Sequence, residues 1–285
     1  MIYSFKRNDV PSPTNREKDD NLKTRVLSAI VMIVLSLICI PFASVPRVLY
    51  FAVLGGLCAY EYSKNVEKLD ARCTLWVMLV YLGGQTVLTL LDAGLFAYVA
   101  CFVFCIYLAL FSGVLHKEVA GRGALYTLAG LTYPCLLCSV IIVISVTELW
   151  WQTLLIACVA TLSCDSFALF GGTRFGRHKV APLVSPNKSV EGCICGAAAS
   201  LVFGALVFLC IRRFYPLPLR LCLVTSLAAS TMGQIGDLAE SLLKRMIGVM
   251  DFSNLIPGHG GVFDRVDSLL FSIPTTYFCL LLAEI

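Results

Sequence analysis

Apolar runs with few or no charged residues alternate with short polar segments along most of the chain. A helix that crosses a bilayer needs about 20 residues, and several runs reach that length when flanking charges that snorkel are included. The pattern therefore predicts an all-α, polytopic membrane protein with about nine transmembrane helices. The runs are residues 26–46, 48–60, 74–91, 93–115, 124–147, 149–164, 193–211, 221–236 and 268–283.

Composition strengthens this prediction and limits where an active site can lie. The 285 residues are 58% hydrophobic and 14% charged, with a mean hydropathy of +0.84, whereas an average soluble domain is about 25% charged. Residues 1–25 form a polar tail, and residues 26–285 form a membrane domain whose loops are short. Because no soluble domain fits between the spans, an active site must be built from loops and helix ends.

The basic residues are distributed unevenly over the two sides of the predicted bundle. If the tail lies inside and the spans alternate, most of the 22 Lys and Arg residues fall in inside segments. The positive-inside rule then predicts a multi-pass protein of the cell (inner) membrane with a cytoplasmic N-terminus. It also places both polar loops of the second half in the cytoplasm. The cations assigned to the outside are Arg47, Arg212, Arg213 and Arg220.

Candidate chemistry concentrates in the second half, at about residues 160–270. Ionisable side chains at membrane depth usually face a bundle interior or a wet cavity, so their clustering here indicates a functional site. If the last helix begins near Phe263, Asp264 and Asp267 lie three residues apart on one face of it. The cluster between the last two apolar runs contains Lys244, Arg245, Asp251, His259, Gly260, Gly261, Asp264, Arg265 and Asp267.

An earlier segment joins an acidic residue, Asp165, to a glycine-rich basic loop. Ser185, Lys188 and Ser189 in this loop carry hydroxyl and ammonium donors suited to phosphate. Glu191 is expected to open the following helix, where a carboxylate suits the helix dipole. The alternative interpretation is that the basic residues reflect positive-inside bias alone.

The eighth apolar run ends in a polar helical face. Asp237, Glu240 and Lys244 follow one another at helical spacings of three and four, so they share one side. Glu240 and Lys244 form either an ordinary helix ion pair or part of a site. Glu61, at the end of the second run, is either an interfacial charge or a functional residue, and we assign no function to the first half.

Both polar segments resemble the phosphatidate cytidylyltransferases (CDP-diacylglycerol synthases). The chain departs from the usual family pattern at Met250 and Asn187, where Lys is usual, and at Val190, where Trp is common. The first loop carries a looser version of the resemblance. The closer match lies in Ser241, Lys244-Arg245, Asp251, Ser253, Ile256-Pro257, His259-Gly260-Gly261 and Asp264-Arg265-x-Asp267.

The resemblance implies transfer of the cytidylyl group of CTP to phosphatidic acid, giving CDP-diacylglycerol and pyrophosphate. Asp237, Asp264 and Asp267 are then candidate ligands for Mg²⁺, a hard cation that takes carboxylates and substrate phosphates, and a second cation is an open question. A buried network with Arg265 and Lys244 is the structural alternative for these acids. The implied catalytic residues are Asp264, Asp267, Asp237, Lys244, Arg265 and His259. The implied nucleotide- and phosphate-binding residues are Ser185, Lys188, Ser189, Arg245, Asp251, Gly260 and Gly261.

Other functions use similar residues. A CTP-dependent lipid kinase, or a cytidylyltransferase for another lipid phosphate, would need the same acids and bases. An ion-coupled transporter, with Asp165, Asp237 and Asp267 as its path, has weaker support because the charges cluster at one side rather than near the midplane. The predicted partners are CTP, phosphatidic acid, the bilayer and a second copy of the chain in a homodimer, with no nucleic acid.

Overall fold

The fold is described from a computed structural model. The structure describes residues 30–31, 34–36, 38–41, 43–69, 71, 73–115, 120–215, 217–253, 255–256 and 260–284. The polar tail, residues 1–25, lies outside the described residues. In the described part of the chain the regular structure is helical apart from one short hairpin.

Nine helices are named here in chain order, and residues 30–31, 34–36 and 38–41 are also helical. The first five are α1 (Ser44–Val66), α2 (Leu75–Leu90), α3 (Leu95–Leu115), α4 (Ala120–Gly130) and α5 (Leu136–Ile144). A short 3₁₀ turn, Glu67–Leu69, follows α1. The remaining four are α6 (Trp150–Phe175), α7 (Val190–Ile211), α8 (Leu219–Ile247) and α9 (Phe263–Glu284). Strand β1 (Lys179–Ala181) pairs antiparallel with β2 (Ser185–Ser189), with Lys179 opposite Ser189 and Ala181 opposite Ser185.

Five helical stretches are long and apolar enough to cross a membrane: Leu95–Leu115, Gly121–Ile144, Trp150–Phe175, Val190–Ile211 and Phe263–Ala283. Leu75–Leu90 is also apolar but shorter. Large apolar side chains project outward from α3, where Phe96 is 86% exposed, as expected of a helix that faces lipid. The described residues therefore form an all-α membrane protein.

Helices α4 and α5 are joined by a π-helical turn, Leu131–Cys135, which contains Pro134. Proline has no amide N–H and cannot donate the hydrogen bond that an α-helical turn requires. A single wider turn accommodates this missing donor without ending the helix. The two helices and the turn consequently run together as one apolar stretch.

Two helices extend well beyond the apolar runs that predict them. Helix α6 continues past Asp165 to Phe175, and α8 continues past Asp237 to Ile247. Helix α8 ends where Gly248 adopts a left-handed conformation with φ of 82°, a frequent way to terminate a helix. The acids of both helices therefore lie on regular helix faces and not in loops.

The four C-terminal helices pack closely through small residues. A Cβ atom on Gly196 of α7 would lie 2.7 Å from the Cys164 carbonyl oxygen of α6. A Cβ atom on Gly236 of α8 would lie 2.7 Å from the Asp267 carbonyl oxygen of α9. Glycine is required at both places because larger residues would separate the helices. The close approach at Gly236 brings Asp237 beside the first turns of α9.

The two halves of the chain share one apolar core. Tyr62 of α1, Met78 of α2 and Ile142 of α5 belong to the same buried cluster as Phe263 and Leu270 of α9. Phe263 stacks at an angle on Tyr133, with ring centroids 5.5 Å apart. This packing places the C-terminal end of α1 next to the N-terminal end of α9.

Candidate active site

The polar segments of the second half meet at one end of the bundle. This end contains the last turns of α1, α6 and α8, the β1–β2 hairpin, and the first turns of α7 and α9. Hydrogen bonds and ion pairs connect these elements, as described below. The structure therefore assembles residues from about 60 to 270 into a single polar region.

Three carboxylates form the centre of this region. Asp237 and Glu240 of α8 and Asp267 of α9 each contribute an oxygen, and the three oxygens lie within 4.8 Å of one another. Glu240 is fully buried, and its Oε1 atom has no hydrogen-bond donor among the described residues. Carboxylate oxygens at this separation are the donor set that a hard divalent cation takes, so the residues fit Mg²⁺.

Two lysine side chains bridge these acids to their neighbours. Lys244 Nζ lies 2.5 Å from Glu240 Oε2 and 2.7 Å from Asp264 Oδ1. Lys188 Nζ lies 2.5 Å from Asp237 Oδ2 and donates to the Gln234 carbonyl at 3.3 Å. The ion pair between Glu240 and Lys244 is thereby confirmed, and a catalytic role for Lys244 stays a prediction. The hairpin and α9 are each tied to α8 through one ammonium group.

Asp264 lies in the first turn of α9, as the sequence predicts, and its carboxylate contacts the preceding loop. Its Oδ2 accepts hydrogen bonds from the backbone N–H groups of Gly261 at 2.8 Å and Phe252 at 3.1 Å. Its side chain is 3% exposed. Asp237 and Asp267 lie close together, as the sequence predicts, and Glu240 is the third member of this carboxylate cluster. Asp264 instead binds backbone N–H groups of the loop before α9. A metal role for Asp264 stays a prediction.

Asp165 adds a further negative charge at the edge of this group. It is exposed on α6 and interacts electrostatically with Asp237 and Lys188, and also with Asp267. The carboxylates named above outnumber the two ammonium groups that pair with them. Such an excess of oxygen ligands with negative charge favours binding of cations.

The β1–β2 hairpin carries the predicted phosphate-binding residues to α8. Lys188 lies on β2, and Arg245 Nε donates to the Val184 carbonyl at 3.1 Å. Ser189 is 3% exposed and caps α7, because its hydroxyl accepts the Gly192 N–H at 3.2 Å. Ser185 begins β2 and is half-buried. The phosphate-binding roles of these residues stay predictions.

Glu191 lies in the first turn of α7, as the sequence predicts. Its carboxylate accepts the Arg177 N–H at 3.1 Å and lies 2.6 Å from Nδ1 of His178. These contacts join the end of α6 to the start of α7. Glu191 therefore closes the base of the hairpin.

The loop before α9 depends on two adjacent glycines. Gly260 has φ of 86°, which favours glycine, and its carbonyl accepts the Ile256 N–H at 2.9 Å. A Cβ atom on Gly261 would lie 2.6 Å from Glu61 Oε2 and 2.8 Å from Asp264 Oδ2. Asp251 and Arg265 are exposed near this loop, and His259 lies outside the described residues.

For two residues near the centre of this region, the sequence leaves both a structural and a functional interpretation open. Glu240 is either a helix ion pair or part of a site, and its spacing from Asp237 is the signal for the second. Glu61 is either an interfacial charge or a functional residue, and it is 1% exposed and accepts hydrogen bonds from the loop before α9. No local pattern connects Glu61 to that loop, because the contact spans most of the chain.

Fold and site together define a polytopic membrane enzyme whose acids and lysines meet at one end of a helix bundle. A profile of the cytidylyltransferase family matches residues 23–283. The chain therefore belongs to the cytidylyltransferase family, and the resemblance noted in the sequence is confirmed. Its class is that of a nucleotidyltransferase.

Individual relatives are similar over different shares of the chain. A phosphatidate cytidylyltransferase of Brucella abortus is 32% identical over 263 residues, which cover 90% of this chain and 92% of that enzyme. One of Bacillus subtilis is 46% identical over 126 residues, covering 44% of this chain and 46% of that enzyme. One of Thermotoga maritima is 37% identical over 133 residues, or 46% and 49% of the two chains.

Proposed function

We propose that the protein transfers the cytidylyl group of CTP to phosphatidic acid, releasing pyrophosphate and forming CDP-diacylglycerol. The observation that carries this proposal is the cluster of Asp237, Glu240 and Asp267 with two flanking lysines at one bundle end. The names of the relatives and the family support the same substrates. A site at helix ends lets a soluble nucleotide meet a lipid headgroup.

The reaction forms a bond between a phosphate oxygen of the lipid and the α-phosphorus of CTP. The bond from that phosphorus to the oxygen bridging to the β-phosphate breaks, and pyrophosphate leaves with the bonding electrons. A phosphomonoester has its second pKa near 6, so it is largely dianionic at neutral pH and needs no general base. The main barrier is repulsion between two anions, which the site must reduce.

Residues of this chain reduce that repulsion in two ways. Lys188 and Lys244 hold ammonium groups beside the carboxylates, where they can pair with phosphate oxygens as charge develops. Asp237, Glu240 and Asp267 would hold Mg²⁺, which when bound neutralises phosphate charge and orients the substrates. Arg245, Arg265, Asp251 and His259 are proposed to contact the nucleotide, and a second cation stays an open question.

The proposed topology has nine spans in the cell (inner) membrane. The N-terminus and the active site then lie on the cytoplasmic side. The distribution of Lys and Arg supports this orientation. Five described helical stretches meet the length and hydropathy of a crossing, and the count of nine spans stays a prediction. Association of two copies into a homodimer stays a prediction.

The position of label from CTP in the lipid tests the proposed reaction. Purified protein, phosphatidic acid and Mg²⁺ are incubated with CTP labelled at the α- or the γ-phosphorus. We expect α-label in the lipid and γ-label in released pyrophosphate, with both signals lost when a chelator is present.

The other functions give different outcomes in the same assay. A lipid kinase would place γ-label in the lipid, and a transporter would label no lipid under any metal condition. Either result would overturn cytidylyl transfer. Replacing phosphatidic acid by other lipid phosphates identifies the acceptor, and preference for one of those would overturn phosphatidic acid as the substrate.

A further inference from the structure

Glu61 is a buried carboxylate in a part of the chain that carries no recognised motif. It lies near the end of α1 and is 1% exposed. Oε1 accepts hydrogen bonds from the Ser253 hydroxyl at 2.5 Å and the Val262 N–H at 2.9 Å. Oε2 accepts the Phe263 N–H at 2.9 Å. All three donors belong to the segment that leads into α9.

These contacts satisfy the N-terminal end of α9 from outside that helix. The first N–H groups of a helix have no partner within it, and the helix dipole places positive charge there. Glu61 supplies a negative acceptor at this point, where a residue of the loop itself would usually serve as a cap. A buried carboxylate without such donors would be very costly, so the pairing holds both elements in place.

Two neighbouring contacts extend the fit between α1 and the loop. Asn65, one turn after Glu61, donates from Nδ2 to the Phe252 carbonyl at 2.5 Å. Lys68 Nζ in turn donates to Asn65 Oδ1 at 2.7 Å. Gly261 leaves space for the Glu61 carboxylate, since a Cβ atom there would lie 2.6 Å from Oε2. The last turn of α1 is therefore shaped to the loop and to the start of α9.

We propose that Glu61 is a positioning residue for cytidylyl transfer. By fixing Phe263 it fixes the first turn of α9, and with it the places of Asp264 and Asp267. The proposal rests on the roles proposed above for these aspartates. A shift of about 1 Å in a reacting geometry can cost on the order of 100-fold in rate, so anchoring this helix end matters for turnover.

Glu61→Gln tests the proposal with little change in shape. Glutamine keeps one acceptor oxygen but turns an amide N–H group toward a backbone N–H, where the carboxylate accepted a hydrogen bond. Hydrogen–deuterium exchange of the purified protein is followed on peptides covering residues 252–270, alongside steady-state kinetics. We expect faster exchange at Val262 and Phe263 and a kcat lowered about 10- to 100-fold, the range for supporting partners of a site.

Glu67→Gln is the matched control, because it makes the same substitution at an exposed position just after α1. It should leave both exchange and kcat at wild-type values. Ser253→Ala, which removes one of the three donors, should give a smaller loss of kcat and faster exchange near residue 253. This second variant keeps the test decisive if Glu61→Gln does not fold.

Three outcomes would overturn the proposal: wild-type exchange and kcat in both Glu61→Gln and Ser253→Ala, a loss of kcat without faster exchange, or faster exchange with normal kcat. The exchange measurement needs no substrate. If the wild-type protein does not transfer cytidylyl groups, the proposed function is refuted. The exchange data would still show whether Glu61 anchors the start of α9.

Discussion

The two ends of helix α1 each bury one charge, and they differ in what surrounds it. At the start of α1, Arg47 is 6% exposed and donates to the carbonyls of Ser145 at 2.6 Å and Ile40 at 3.1 Å. Its guanidinium also lies 3.7 Å from the ring centroid of Trp150. At the other end, Glu61 binds the loop that precedes α9.

Arg47 and Glu61 differ in the part of the molecule that their contacts hold in place. Arg47 contacts two backbone carbonyl groups and the ring of Trp150, the first residue of α6. At the opposite end, Glu240 retains a buried oxygen without a donor among the described residues. Arg47 and Glu61 are both satisfied buried charges that hold helices together. Glu61 differs because the segment it binds leads into α9, the helix that carries Asp267.

The largest effect in this comparison is expected from Asp267→Asn. Asp267 belongs to the carboxylate cluster, and its loss removes one proposed ligand of Mg²⁺. We expect turnover to fall by more than the roughly 10- to 100-fold seen for supporting partners of a site. Mg²⁺ should raise the unfolding temperature of the wild type, because a ligand stabilises the state it binds, but not that of the variant.

Asp92→Asn serves as the control for Asp267→Asn. Asp92 is exposed in the turn between α2 and α3, with φ of 51°, a conformation that asparagine tolerates. It should keep wild-type activity and the same response to Mg²⁺. An Asp267→Asn protein with full turnover, or one still stabilised by Mg²⁺, would contradict the metal role.

Asp264→Asn should affect activity and stability together. Asp264 is 3% exposed and pairs with Lys244 while accepting two backbone N–H groups. Breaking a buried ion pair costs about 3 kcal/mol at the lower end of the usual range, and Lys244 keeps Glu240 as its second partner. The unfolding temperature in detergent and the turnover of the folded fraction measure the two effects.

Asp251→Asn provides the stability control for this variant, because Asp251 is an exposed carboxylate of the same loop. Its unfolding temperature should match the wild type. If Asp264→Asn unfolded at the wild-type temperature, the buried contacts described for Asp264 would not contribute to stability.

Arg47→Ala should lower stability without altering the chemistry. It leaves the Ser145 carbonyl without its donor, at a cost of about 1–3 kcal/mol, and removes a cation–π contact worth about 2 kcal/mol when desolvated. We expect a lower unfolding temperature and an unchanged kcat per folded molecule. Arg220→Ala, at an exposed position at the same end, should change neither, and loss of kcat in Arg47→Ala would contradict the separation of the two ends.

Local patterns in the sequence predicted much of this arrangement. The apolar runs predicted the order of the helices, and Glu191 and Asp264 lie in the first turns of α7 and α9 as expected. The apolar run ends before Asp165, whereas α6 continues to Phe175. The helical spacing of Asp237, Glu240 and Lys244 does predict that α8 extends beyond its apolar run. Acidic residues that face a shared polar site do not interrupt a helix.

The contributions of Glu61 and Glu240 could not be read from such patterns. Glu61 meets Val262 and Phe263 across most of the chain, and such contacts depend on how α1 packs against α9. The choice between Glu240 and Asp264 as the third member of the cluster depends on helix rotation and side-chain direction. Motif spacing limits the candidates to one helix face but does not select among them.

The smallest effect is expected from Met250→Lys. Met250 is 72% exposed beside the loop before α9, so a lysine there displaces no core packing. The family usually carries Lys at this position, and an added surface charge contributes about 0.2–1 kcal/mol. We expect an unchanged unfolding temperature and a KM for CTP lowered by about 1.4-fold to fivefold, with little change in kcat.

Met250→Gln has a similar length without the charge and should leave the KM for CTP unchanged. The effect of the lysine should weaken as ionic strength rises, because salt screens exposed charges. An equal change in both variants would indicate an effect of side-chain shape rather than of charge. A lysine variant with an unchanged KM at low salt would place the triphosphate away from Met250, and the nucleotide would then contact the hairpin side of the carboxylate cluster.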